Sequence, residues 1–367
     1  MKNDITADKC FKRSSRLQTE NLPAKNTEGY WMVMQKKVWV YGFGFMGQTH
    51  AGNLLKIPGA TLAGIIDPCD IRERLSGIRG NQATVRIAWE DVAQVPHYRS
   101  FQEACEKSSA DILVIALPTK LHFQAVMEGL EKDLDVFVEK PFSVSLSECE
   151  LMTKSAAECD RIIAVGQCVR AMQEYIFLSE TIRSGRLGEL KFLKLNRTTG
   201  FPDWGNWREP EFVKASGGAL FDLLLHDVDY LRFCLGEPVS ISAASRFASS
   251  GVSMISAGFD YPGVHVSVEG GFVMPSSFPF QRSFSAFFER GSLNSSVPGK
   301  VEEFSENGKK EYDFSSDDPY YTEMVQFIDA VRSRDCSGIC TGEDAARTVE
   351  CCRKIAAAAD YPLPEEL

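Results

Sequence analysis

The chain has 367 residues, 44% of them apolar and 25% charged, which suits a globular protein of more than one domain. A formal net charge of −10 excludes the basic footprint that nucleic-acid binding needs. No apolar run approaches the roughly 18 residues of a membrane span.

Residues 1–34 are polar and aperiodic and lack the apolar core of a secretory signal, so a disordered leader is expected. From Lys36 the chain alternates strand and helix. The apolar run "KVWVY" is followed by "MGQTHAGNLLK", a helix stopped by Pro58-Gly59. Then come the strand "ATLAGIID", two short helices, the strand "ADILVIALP", the helix "HFQAVMEGLEK" and the strand "DVFVEKP". Continuous apolar strands between amphipathic helices predict a doubly wound parallel sheet over 35–155.

Beyond residue 155 the rhythm changes. Strand-like segments such as "ELKFLKLNR", "VSMISAGFDY" and "VHVSVEGGFV" follow one another across turns. Val264, Val266 and Val268 alternate with polar residues, giving one buried face and one polar face. Residues 156–367 are therefore expected to form a C-terminal α/β domain with a large open, mostly antiparallel sheet. The 11 cysteines are an odd number without a C-x-x-C pair. Neither a disulfide framework nor a metal site is expected, and a reducing, cytoplasmic setting is.

Three stretches carry chemistry. The first is "KKVWVYGFGFMGQTH", where Gly42, Gly44 and Gly47, with Phe45 and Met46 between them, form G-x-G-x-x-G between a predicted strand and a predicted helix. One glycine permits the tight turn, one the approach of pyrophosphate and one close helix packing, and the helix N-terminus attracts the anion. Asp67 stands 20 residues beyond Gly47, at the end of the second strand. A carboxylate there binds ribose hydroxyls and repels a 2′-phosphate, so NAD is expected, with NADP as the alternative cofactor.

The second is Lys140, which follows Glu139 at a strand's carboxyl end, where open parallel sheets bind their ligands. Alone, a lysine after a strand is more often a solvated surface residue. In the third, "SGGALFDLLLHDVDYLRFCLG", Asp222 and His226 share a helix face that Asp229 continues. This reads either as a carboxylate orienting a general base or as a cap beside a structural histidine. Trp204, Trp207 and Arg208, just upstream, are candidates for stacking on a sugar, or else for core packing or an inter-subunit contact.

The glycine loop, Asp67, "LPTKLHF", "VEKP" and "GGALFDLLLHDVD" resemble, in order and spacing, the Gfo/Idh/MocA oxidoreductases, which include glucose–fructose oxidoreductase and inositol dehydrogenase. The resemblance implies a Rossmann domain followed by an α/β domain, and hydride transfer between nicotinamide and a sugar, inositol or similar polyol. It implies Lys140, Asp222 and His226 as catalytic residues. It sets Leu117, Pro118, Thr119 and His122 along the nicotinamide side and Glu139 near the ribose. Self-association through the C-terminal sheet is also implied. Two features depart from the pattern. Leu224 stands where many relatives have glycine, and "GQCVRAMQEY" lacks their Asn-Arg sequence. Relatives that cleave glycosides by transient oxidation, trans-dihydrodiol or biliverdin-type reductases, and non-catalytic NAD-sensing regulators are the competing readings.

Overall fold

A computed structural model describes residues 35–77, 87–202, 207, 209–247 and 253–364. The expected leader, Trp204 and Arg208 lie outside the described residues.

Among the described residues the first sheet has six parallel strands: β1 (Lys36–Tyr41), β2 (Ala60–Ile66), β3 (His97–Tyr98), β4 (Ile112–Ile115), β5 (Asp135–Glu139) and β6 (Ile163–Gly166). Their spatial order is β3-β2-β1-β4-β5-β6, the doubly wound arrangement in which the order reverses between β1 and β4. The connecting helices are α1 (Phe45–Leu54), α2 (Ile71–Gly77), α3 (Trp89–Val92), α4 (Phe101–Lys107), α5 (His122–Leu130) and α6 (Leu146–Glu158). All of Ile112–Ile115 is buried, because helices cover both faces and no strand residue has a solvent side to turn to.

The remaining helices are α7 (Gln173–Ser184), α8 (Pro210–Ala215), α9 (Leu225–Leu235), α10 (Pro319–Ser333) and α11 (Gly342–Ala358). Among the described residues the second sheet holds eight strands: β7 (Leu190–Gly200), β8 (Ser240–Phe247), β9 (Ser253–Tyr261), β10 (Val264–Met274), β11 (Gln281–Phe288), β12 (Gly291–Ser295), β13 (Lys300–Ser305) and β14 (Gly308–Asp313). It is antiparallel except between β7 and β10. Leu193, Leu195, Val266 and Phe284 on its inner face share a core with Leu225 and Val228 of α9 and Ile355 of α11. The outer face leaves Phe287 and Phe304 exposed.

Residue 155, the expected point of division, falls inside α6, and the next strand, β6, still pairs with β5 in the first sheet. Near its C-terminus the chain returns there again: Met324, Phe327 and Ile328 of α10 pack with Val38, Val40 and Phe137. An apolar helix stripe records that a face is buried but not against what, so this return had no signal in the periodicity.

The expected helix around Asp222 begins with a π-helical turn, Leu220–Leu224, that leads into α9. Leu224 is fully buried. Opposite it β10 carries Gly270, where a Cβ would lie 2.6 Å from Leu224 Cδ1. Leu224 thus fits because the facing strand has no side chain there.

Candidate functional site

The glycine loop joins β1 to α1 at the point where the strand order reverses. Gly42 has φ +91°, and a Cβ on it would stand 2.6 Å from the Ala116 carbonyl oxygen. A Cβ on Gly47 would overlap the Gly42 carbonyl oxygen. These two glycines let loop, helix and β4 meet. Gly44 differs: nothing lies within 4 Å of its would-be Cβ. It is the N-cap of α1 and supplies no side-chain cap, so the first-turn N–H groups are left to an anion. This open cradle fits a dinucleotide pyrophosphate.

Asp67 is buried and held on three sides. Its carboxylate accepts the Phe43 N–H at 2.8 Å, the Cys69 N–H at 2.8 Å and Arg74 Nε at 3.2 Å. Arg74 sets a cation beside the carboxylate that was expected to repel a 2′-phosphate. Leu117 lies against the glycine loop, its Cδ2 3.0 Å from a Cβ built on Gly42. Pro118 is exposed and Thr119 half-buried. His122 is fully buried, with its ring nitrogens 2.9 and 2.8 Å from the carbonyl oxygens of Pro141 and Leu117. Burial lowers its pKa, and an uncharged ring carries one N–H, which donates to one of these two carbonyls at a time.

Lys140, Asp222 and His226 come from segments more than 80 residues apart and line one cavity of about 220 Å³. Phe45 and Met46, at the start of α1, line it as well, together with Glu139 and Trp207. Lys140 Nζ donates to the Asp222 carboxylate at 3.0 Å and to the Asp222 carbonyl at 2.9 Å. The expected brace from Asp222 to His226 is therefore a brace from Asp222 to Lys140. His226 Nδ1 is buried without a hydrogen-bond partner among the described residues. Burial, then the charges of Lys140, Arg197 and Arg282, push its pKa well below 6.5. Near neutral pH the imidazole is an uncharged proton acceptor surrounded by cations.

Asp229, expected on the Asp222–His226 stripe, is turned away from the cavity and bound by Arg170 at 2.6 and 2.7 Å. Trp207 packs edge-on against Phe212 and Phe272 while still reaching the cavity wall. Cys168, Met172, Arg197, Phe280 and Tyr320 also line the cavity and were not singled out from the sequence. Arg197 faces inward from β7 and is paired bidentately with Asp227 at 2.8 and 2.9 Å. An arginine at an inward position of an alternating strand was the one signal that could have marked it.

The model of the Gfo/Idh/MocA oxidoreductase family, NAD-binding Rossmann fold, matches residues 36–167, and the model of the family's C-terminal domain matches residues 175–294. The chain is 31% identical over 222 residues to scyllo-inositol 2-dehydrogenase (NAD(+)) of Bacillus subtilis, covering 60% of each chain. It is 27% identical over 203 residues to myo-inositol 2-dehydrogenase of Thermotoga maritima, covering 55% of this chain and 56% of the relative. The aligned part thus spans under two thirds of either relative. A dehydrogenase from Chromobacterium violaceum has the same fold, with a TM-score of 0.75 at 17% identity over 89% of this chain and 96% of that one.

Proposed function

The chain belongs to the Gfo/Idh/MocA oxidoreductase family, and on that premise we propose that it oxidises a secondary hydroxyl of an inositol or related polyol. The observation that carries the proposal is one cavity bearing Lys140, His226 and the N-terminus of α1. The names of the two curated relatives, both inositol 2-dehydrogenases, support the substrate class.

A bound nicotinamide supplies the hydride acceptor. Gly42, Gly44 and Gly47, with the first turn of α1, would hold its pyrophosphate, and Asp67 the adenosine ribose. Leu117, Pro118 and Thr119 would border the nicotinamide. NAD is the cofactor we propose, and Arg74 is the group that would soften discrimination against NADP. Lys140, fixed by Asp222, would donate a hydrogen bond to the substrate oxygen and stabilise the alkoxide character that develops there. His226 would remove the hydroxyl proton, a role its uncharged ring can fill. We further propose that the outer sheet face around Phe287 and Phe304 joins copies of the chain, which light scattering of the purified protein measures.

The test is a spectrophotometric screen of inositols and aldoses with NAD and with NADP. Reduced nicotinamide should accumulate with at least one inositol, faster with NAD. A cleaved glycoside without net NADH would favour the transient-oxidation reading, and no turnover with any polyol would overturn the proposal.

A further inference from the structure

Behind Lys140 lies a buried cluster that this chemistry leaves unused. His50 of α1, Glu139 of β5 and Glu323 of α10 each offer one ligand atom, all within 4.8 Å of one another. Their relative exposures are 0%, 7% and 8%. His50 Nε2 lies 2.6 Å from Glu139 Oε1, and the Lys140 N–H donates to Glu139 Oε2 at 3.3 Å. Glu323 Oε1 has no hydrogen-bond partner among the described residues, and neither has His50 Nδ1.

Two buried carboxylates this close are not both ionised, so the cluster needs a cation or a proton. The geometry decides against the cation. A metal-bound histidine donates its other ring N–H to an acceptor, and His50 Nδ1 faces none. As a neutral ring donating Nε2–H to Glu139 it leaves only a bare acceptor at Nδ1. Glu139 already faces two N–H donors while Glu323 Oε1 faces none, so the proton that the pair needs belongs on Glu323. Burial, Glu139 and Asp318 all push the Glu323 pKa up. The other titratable or charged groups around it are Tyr320 on its own helix, Cys168 before α7, and Arg170 and Cys340 on the far side. Arg170 is engaged by Asp229 and Asp344 and does not neutralise Glu323.

The position of the pair gives it a task. Glu139 lines the main cavity. Glu323 lines a second, small cavity of about 20 Å³ with Gln167, Gln326 and Arg170, enough for about one water molecule. Gln167 Oε1 there also lacks a partner among the described residues. We propose that Glu139 and Glu323 share one proton and that the pair passes the proton released on substrate oxidation from the main cavity to the small one; the relay rests on the oxidation reading above. Oxidation of one hydroxyl sends a hydride, with its electron pair, to the nicotinamide and one proton to His226. Three neighbouring cations make an imidazolium there unfavourable, so the proton moves on through cavity water to the Glu139 carboxylate. Glu323 gives its own proton to water in the small cavity and regains one from Glu139. One proton enters and one leaves.

Two measurements on the full chain test this. An infrared difference spectrum at neutral pH, wild type minus Glu323→Gln, should show the carbonyl stretch of a protonated carboxyl. Its absence overturns the shared proton, and stoichiometric zinc by elemental analysis would identify a cation in its place. With the inositol found active in the screen, Glu323→Gln should bind NAD as tightly as wild type but turn over at least ten-fold more slowly, and added imidazole should restore the rate. Unchanged turnover, or a loss that imidazole does not restore, overturns the relay. If Glu323→Gln fails to fold, Glu323→Asp takes its place, with a shifted carbonyl band expected. A wild type that oxidises no polyol counts against the oxidation reading and the relay together, while the infrared band still decides the shared proton.

Discussion

Asp222 separates two accounts of the site. Four residues from His226, it has the spacing of an imidazole's partner, yet its carboxylate and its carbonyl both hold Lys140 Nζ. Asp222→Asn should therefore slow turnover about ten-fold or more through a misplaced ammonium. The acid limb of the pH profile, which the proposed mechanism assigns to His226, should stay where it is. That limb should lie below pH 6.5, because burial and three cations hold the imidazole pKa down and the base is lost only once it is protonated. Profiles of kcat/KM for both proteins check this, and a limb that moves in the variant would restore the Asp222–His226 brace. The sequence named both residues but not the pairing, since helical spacing says which side chains share a face and not which third residue arrives from another domain.

The two kinds of glycine contact lead to different outcomes. Gly44→Ala should fold with an unchanged Tm, because nothing stands within 4 Å of the new methyl, yet weaken NAD binding measured by calorimetry. Gly47→Ala should lower Tm, since its methyl would overlap the Gly42 carbonyl. Gly270→Ala drives a methyl to 2.6 Å from both Leu224 Cδ1 and the Arg197 carbonyl oxygen. Overpacking of this kind costs about 1–3 kcal/mol, and thermal melts should show it. The parallel strands and their glycine loop were legible because a sheet covered on both faces writes continuous apolar runs. The docking of α10 on the first sheet, and with it Tyr320 and Glu323, was not, because nothing local in a helix names its distant partner. Arg197 was hidden likewise, its pairing with Asp227 being a property of the assembled interior.

Burial of charge also sets how the whole fold answers to pH. The folded pKa values of His122 and His226 lie below 6.5, so as pH falls below 6.5 the unfolded chain binds the protons and stability falls with it. Glu323 acts in the opposite sense: with its folded pKa raised, its contribution is present below about pH 4.5 and is lost as pH rises through the folded value. Two histidines oppose one carboxyl, so Tm should fall between pH 6.5 and pH 5, and fall less in His226→Asn. An equal fall in both proteins would mean that His226 is not the depressed group. The claim beneath all of this is that Lys140 and His226 act on one substrate oxygen, and a double-mutant cycle in kcat/KM with NAD and an inositol measures it. Lys140→Ala and His226→Ala should each cost about 10²–10⁴, with the double variant little worse than the poorer single one. Single variants within a few-fold of the parent, or two large losses that multiply in the double variant, would contradict it.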